Sequence, residues 1–461
     1  MNKENTTFEE TVIIESMGNE GEGVARIPSG QVVFVDGVLP GEKCRIAVET
    51  SNKKFTRATV VERLSDSTER TIPVCGSYEY CGGCNLMHIS YERELVYKRQ
   101  KVFDCLTRIG GFDPDFIESV LQPTVENDNI THYRNHMQYT IGSDVVSGCP
   151  RIGFKAPSSN AFTDVDECFT EYEIFGKIRE YMSERFRDYP VKLFEQMVLR
   201  GSERTKQILI EFTVVSTLPH EVIIRDAGAY LKEAALKAFV SGEGYVLKGT
   251  VLQICKDQTS LKRRNGKRVV IDGEGYYEEI LSGHTFRVNS GAFFQVNTAQ
   301  AEKLYSLARE GLTDAEVIYD LYCGAGTIGL TTVGPNQKLY GIEISPEAVA
   351  SAKINARLSG NENAVFICRP CEKVILSKSD IPAPNAVITD PPRKGMDFSF
   401  VNQLIKLGAP RISYVSCDPA TMARDLKFLC ATYKIEKITP VDMFSRSSHV
   451  ETVALLSRTE K

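Results

Sequence analysis

No stretch of about 18 or more apolar residues occurs in the chain, so no transmembrane helix is expected. The opening residues, MNKENTTFEE, lack an apolar core of the secretory kind, and a cytoplasmic location is expected. Nor is there an excess of positive charge: 55 Lys and Arg stand against 60 Asp and Glu, a net −5. Overall charge therefore does not mark a nucleic-acid binder, and the basic clusters are local. They are Lys53-Lys54 with Arg57, Lys262-Arg263-Arg264 with Lys267-Arg268, and Arg393-Lys394; each alone reads as a solvated face. Disulfides are not expected in the cytoplasm, so the 13 cysteines point to metal binding, catalysis or burial. The 461 residues exceed what one core organises, and two or three domains are expected.

What is there centres on Arg411 to Arg424, RISYVSCDPATMAR. An apolar, β-branched run meets a helix start, with Asp418 suited to the N-cap and Pro419 to the first helical position. Cys417 then lies at the carboxyl end of a strand, where open α/β sheets bind ligands. A helix N-terminus lowers a thiol's pKa, so thiolate is expected at neutral pH; a buried structural cysteine is the competing reading. Upstream, the strand Val317 to Leu321 leads into Tyr322-Cys323-Gly324-Ala325-Gly326-Thr327-Ile328-Gly329, and Glu343 ends the next strand. This β-α-β fits NAD or S-adenosylmethionine (SAM), with Glu343 placed for ribose hydroxyls. Asp320 before the glycines tilts it to SAM. A further strand ends in Asp390-Pro391-Pro392-Arg393-Lys394-Gly395, on the same sheet edge as Cys417. Glu451 opens the closing strand, where partial shielding would raise its pKa toward general-base use.

The first two thirds read differently. Residues 6–64 show short strand candidates punctuated by glycines and the Pro40-Gly41 turn, which indicates a small β-barrel. It resembles the TRAM domain, an OB-like RNA-binding module; Lys53, Lys54, Phe55 and Arg57 are its candidate RNA contacts. Cys75, Cys81 and Cys84 form C-x5-C-x2-C, with Cys168 as a distant fourth ligand. One C-x2-C knuckle without a second favours an iron–sulfur cluster over structural zinc. A helix is expected at 89–109. His132 to Tyr139 opens a strand whose Tyr, Arg, Asn and Gln could stack on and read RNA bases; an ordinary amphipathic edge strand is the alternative. A mixed helix at 171–187, one amphipathic helix from Pro219 to Phe239 and an exposed basic hairpin at Lys262–Arg268 complete the region.

Cysteine, carboxylate and SAM in one cleft suit methylation of a ring carbon such as C5 of uracil. A thiolate adding at C6 makes C5 nucleophilic, and a base must later remove the C5 proton. Asp390-Pro391-Pro392 alone would also fit an amine methylase, which needs no such nucleophile.

The set HYRNHMQY, FFQVN, DLYCGAGTIGL, GIE, TDPPRKG, SCDPATMARD and SHVETV, with the barrel and the cysteines, resembles the RNA uracil-5-methyltransferases. It is most similar to the iron–sulfur 23S rRNA branch. The resemblance implies a TRAM barrel at 6–64, an α+β iron–sulfur and RNA-binding domain at 70–288, and a Rossmann-like SAM-dependent catalytic domain at 289–461. The 89–109 helix could pack on that last domain. It implies Cys417 as nucleophile, Glu451 as proton-abstracting base, and Gln295, Tyr322, Thr327, Glu343 and Asp390 as SAM-site residues. Cys75, Cys81, Cys84 and Cys168 would ligate a [4Fe–4S] cluster with a structural role. The family often has proline where Ser445 stands, and only a local loop difference is expected. Cys44, Cys105, Cys149, Cys255, Cys323, Cys368, Cys371 and Cys430 are expected to be packing. The implied partner is 23S rRNA, with the protein a monomer. Competing readings are a tRNA uracil-54 methyltransferase, a cluster-bearing RNA-binding protein without activity, and an NAD-dependent oxidoreductase.

Overall fold

A computed structural model describes residues 7–49, 56–144, 148–157, 161–187, 193–263, 265–312, 314–361, 363–376 and 381–459. Lys53, Lys54, Phe55 and Arg264 lie outside the described residues.

Strands β1 (Thr7–Ile13), β2 (Ser16–Met17), β3 (Gly23–Arg26), β4 (Val32–Val35), β5 (Lys43–Glu49) and β6 (Thr56–Ser65) form one sheet in the order β1-β5-β6-β4-β3-β2. Its two ends, β1 and β2, are one continuous stretch, and Glu15 N–H donates to Val24 O at 2.8 Å. That wraps the sheet on itself and leaves Val12, Ile14, Val33, Val35, Ile46 and Val48 inside.

Helices α1 (Tyr91–Arg108) and α2 (Pro114–Val120) follow. Ser90 caps α1 by accepting from Arg93 N–H. The apolar stripe Val102, Cys105 and Leu106 does not face the middle of the chain. It joins Met422, Leu426 and Ile438 in the core of the last third.

The middle sheet runs β13-β12-β11-β10-β7-β8-β9, from β7 (His136–Ser143), β8 (Pro150–Lys155), β9 (Phe162–Thr163), β10 (Gln196–Ser202), β11 (Gln207–Val215), β12 (Val246–Cys255) and β13 (Lys267–Gly273). Helix α3 (Glu173–Arg187) buries Phe175, Ile178 and Met182 against it. The stretch expected to be one helix from Pro219 is two, α4 (His220–Glu233) and α5 (Leu236–Gly242). The break is Ala235, whose left-handed φ of 54° ends the helical hydrogen bonding. Among the described residues the basic run is exposed, and it links the antiparallel strands β12 and β13 as a hairpin would, but its connection carries a short helix, α6 (Gln258–Lys262), and β13 is the sheet's edge. Arg268 pairs with the buried Glu211 at 2.8 Å.

A hairpin, β14 (Tyr276–Leu281) with β15 (His284–Asn289), leads into the last third. There α7 (Thr298–Arg309), β16 (Val317–Leu321), α8 (Thr327–Thr332), β17 (Lys338–Glu343), α9 (Pro346–Leu358), β18 (Ala364–Cys368), α10 (Cys371–Leu376), β19 (Ala386–Thr389), α11 (Phe398–Leu407), β20 (Arg411–Ser416), α12 (Pro419–Leu429), β21 (Tyr433–Val441) and β22 (Glu451–Arg458) alternate. The sheet order is β18-β17-β16-β19-β20-β22-β21. Neighbours from β18 to β20 are parallel, and β22 runs antiparallel to both β20 and β21. Strand order reverses between β16 and β19, which opens a crevice at their carboxyl ends. Among the described residues no helix is long and apolar enough to cross a membrane.

Candidate active site

The carboxyl ends of the parallel strands deliver Tyr322, Glu343, Asp390 and Cys417 to one edge. β22 runs the other way, so its first residue, Glu451, arrives at that same edge. Ser416 pairs with Thr452; one step further, Cys417 and Glu451 flank the end of the ladder.

Asp418 caps α12 as its sequence suggests, accepting from Ala420 N–H at 2.9 Å and Thr421 N–H at 3.0 Å. The expected drop in the Cys417 pKa is not found. Burial, then the nearby Glu451 and Asp390 carboxylates, push the thiol up to about 11, with Arg393 opposing. Desolvation and repulsion outweigh one helix terminus. Glu451 is 4 % exposed, more shielded than expected, and burial and then Asp390 raise it to about 8. Asp390, half-buried just past the end of β19, is lifted to about 7 by desolvation.

The glycine loop is built around two carboxylates. Glu343 accepts from Gly324 N–H at 3.2 Å and Ser345 N–H at 2.8 Å. Asp320 accepts from Gly329 N–H at 3.0 Å, while its other oxygen has no partner among the described residues, and burial raises it to about 8. A Cβ at Gly329 would lie 2.6 Å from that Asp320 carboxylate, so only glycine fits. Above Gly324, φ +54°, nothing among the described residues lies within 4 Å of where a Cβ would stand. Tyr322, itself at φ 61°, lines a cavity of about 210 Å³ with Ile344, Cys371, Glu372 and Pro392. Thr327 opens α8 and shares a 3.1 Å hydrogen bond with Tyr305. Gln295 is buried, and its carbonyl accepts from Asn135 at 2.8 Å. An open glycine cradle beside an oriented carboxylate fits a nucleoside such as that of SAM.

Cys75, Cys81, Cys84 and Cys168 line one cavity of about 280 Å³, together with Arg134. Among the described residues no group of three His, Cys, Asp or Glu is gathered closely enough to hold a metal ion. Zinc needs such a gathering. The four thiols share one void, and the expected metal site is not shown among the described residues.

The HYRNHMQY stretch does not present its aromatics. Tyr133, Asn135 and Tyr139 are buried; Tyr133 donates to Ser445 O at 2.9 Å and Asn135 to Thr298 Oγ1 at 3.0 Å. These side chains lock parts together rather than offer stacking faces. Arg57 on the barrel is exposed and 3.4 Å from Asp36. Cys44, Cys105, Cys255, Cys323 and Cys371 are buried as expected, and Cys149 and Cys430 are half-buried, but Cys368 is exposed.

One group of functional neighbours escapes any sequence motif. Lys98 is buried and bonds Glu94 at 2.7 Å and also Asp442. Asp442 also accepts from Tyr91 at 2.7 Å and Ser445 at 2.6 Å. Ser445 in turn accepts from Asn127 at 2.9 Å. Ser445 therefore ties Asp442, Asn127 and Tyr133 together. The only sequence signal was the Glu94/Lys98 spacing of four on a helix.

The tRNA (uracil-5-)-methyltransferase family profile matches residues 247–459, and the TRAM domain profile matches residues 8–61. A protein of Clostridium acetobutylicum named as an uncharacterized RNA methyltransferase is 35 % identical, covering 100 % of this chain and 98 % of that one. One from Caldanaerobacter subterraneus, named likewise, is 36 % identical over 99 % of this chain and all of its own. The chain belongs to the RNA uracil-5-methyltransferase family. It is a SAM-dependent enzyme of RNA, carrying an N-terminal TRAM domain and a C-terminal methyltransferase fold. Its architecture is shared with the Pyrococcus abyssi tRNA (uracil-54, C5)-methyltransferase, solved with S-adenosyl-L-homocysteine. That structure has a TM-score of 0.72 and 24 % identity, covering 97 % of this chain and 99 % of the other.

Proposed function

We propose that this methyltransferase acts on C5 of a specific uridine in 23S rRNA through a covalent adduct between Cys417 and C6. The observation that carries the mechanism is the placement of Cys417 and Glu451 at one ladder end, inside a cleft shared with Asp390. Bound SAM supplies an electrophilic methyl group; Gln295, Tyr322, Thr327, Glu343 and Asp390 are the residues that would hold it. The Cys417 thiol gives up its proton to solvent and its sulfur bonds to C6, which leaves an enolate electron pair at C5. After C5 is methylated, the Glu451 carboxylate takes the C5 proton. The freed electron pair restores the C5–C6 double bond and expels the sulfur.

We assign Cys75, Cys81, Cys84 and Cys168 to a [4Fe–4S] cluster that stiffens the middle domain; methyl transfer itself moves no electrons. Domain limits of 6–64, 70–288 and 289–461 accompany this reading, with α1 and α2 packed on the third. The rRNA target rests on the resemblance to the iron–sulfur branch. The barrel does not separate it from tRNA uracil-54, since the Pyrococcus abyssi enzyme aligns over almost the whole chain. Two tests divide the questions. RNA carrying 5-fluorouridine should trap the wild type in a complex stable to denaturing gels, and Cys417→Ala should form neither adduct nor 5-methyluridine. Full methylation by Cys417→Ala would overturn the mechanism. Mass mapping of 23S rRNA and tRNA from a deletion strain should show the missing methyl group in 23S rRNA; its loss from tRNA would give the second target.

A further inference from the structure

Three separated segments meet at one side chain. Asn85 directly follows Cys84 in the cysteine loop. Its amide oxygen accepts from Ser448 N–H at 2.8 Å, and its amide nitrogen donates to Ser448 Oγ at 3.0 Å. The same nitrogen donates to Glu20 O in the turn between β2 and β3 of the barrel. Two more bonds run alongside, from the N–H groups of Asn85 and Leu86 to Arg446 O at 3.0 and 3.1 Å. Lys101 of α1 donates to Ser448 O at 3.0 Å. Every polar atom of Ser448 is thus engaged.

Packing at this point is tight. A Cβ at Gly21 would come within 3.2 Å of the Asn85 amide and 3.3 Å of Ser448 Cβ. The loop being gripped holds Arg446 in the left-handed region, φ 69°, a conformation that persists only where surroundings over-determine it. Three residues beyond Ser448 stands Glu451. Nothing in the mechanism above uses these contacts, yet they fix the entry of β22 from outside its own domain.

We infer that Asn85 is a positioning residue for Glu451, coupling the cysteine loop and the barrel to the strand that bears the base. The inference rests on the mechanism proposed above. Anything that displaces the cysteine loop then acts on the last chemical step, proton removal and release, while leaving the Cys417 side of the cleft in place. The enzyme would finish its reaction only with the cysteine loop seated.

The test uses full-length protein and an RNA that the wild type methylates. In Asn85→Leu, kcat should fall about tenfold, the worth of a lost hydrogen bond, while kcat/KM for the RNA stays within about twofold, because the slowed step follows methyl transfer. The protein should accumulate a gel-stable covalent complex with methylated RNA. A purely structural residue would lower thermal stability without that accumulation. Ser448→Ala, which removes one of the two side-chain bonds, should shift the same partition more weakly, and it decides the matter if Asn85→Leu does not fold. Glu451→Gln is the reference for full accumulation: if it traps nothing, the mechanism is wrong. If it traps the complex but Asn85→Leu and Ser448→Ala turn over like wild type, or lose adduct and turnover together, the positioning role is wrong.

Discussion

A carboxyl group 4 % exposed and facing a second carboxylate holds its proton at neutral pH, and Glu451 is raised to about 8 for that reason. To take the C5 proton it must be ionised. Release of methylated RNA should therefore speed up as pH rises and level off above about 8; single-turnover decay of the adduct measures this, and a rate flat with pH would oppose it. The same shift has a stability sign. The unfolded chain ionises this carboxyl near 4.5, the folded one near 8. Stability from the neutral group is complete below the lower value and is lost as pH climbs through the higher. Glu451→Gln should therefore melt above the wild type at alkaline pH and close to it in acid. Cys417 and Glu451, the proposed nucleophile and base, were legible as residue types at strand ends. The thiol's direction was not, because the two carboxylates that raise it come from β19 and β22, which no local pattern places beside β20.

At the scale of elements, α1 belongs by sequence to the middle region and by packing to the catalytic core. Its amphipathic spacing was visible and its boundaries nearly so. Its polar partners were not: Lys98 meets Asp442 across 344 residues. Lys98 is 1 % exposed and both partners are fully buried, so removing it strands two carboxylates in the core. Lys98→Met should cost about 3–5 kcal/mol, read by denaturant unfolding, and should free the Asp442–Ser448 loop. A cost under about 1 kcal/mol, the range of exposed pairs, would show that the network does not hold that loop. The split of α4 from α5 was hidden for a simpler reason. Alanine favours helix, and only tertiary packing sets Ala235 at φ 54°.

Across the whole molecule, the quartet of thiols joins a loop after the barrel to Cys168 in the middle domain. Protein purified without oxygen should be brown and carry about four irons per chain. Cys168→Ala should lose the iron and Cys149→Ala should keep it; zinc alone in the wild type would remove the cluster assignment. That these four cysteines would line one cavity was legible because three of them fall close together in the chain. The joint at Asn85 was not, since amides carry no spacing signature.

The reversal of β22 makes catalysis depend on strand alignment as such. Its side chains alternate between faces, and only the pairing of Ser416 with Thr452 brings Glu451 level with Cys417. A slip of one residue would keep the strand in the sheet yet turn Glu451, with every other side chain of β22, to the opposite face. Such a protein could fold, bind its methyl donor and bond to uridine, and still hold its product without release. A misaligned copy of this enzyme would not be merely idle; it would be a permanent RNA crosslink.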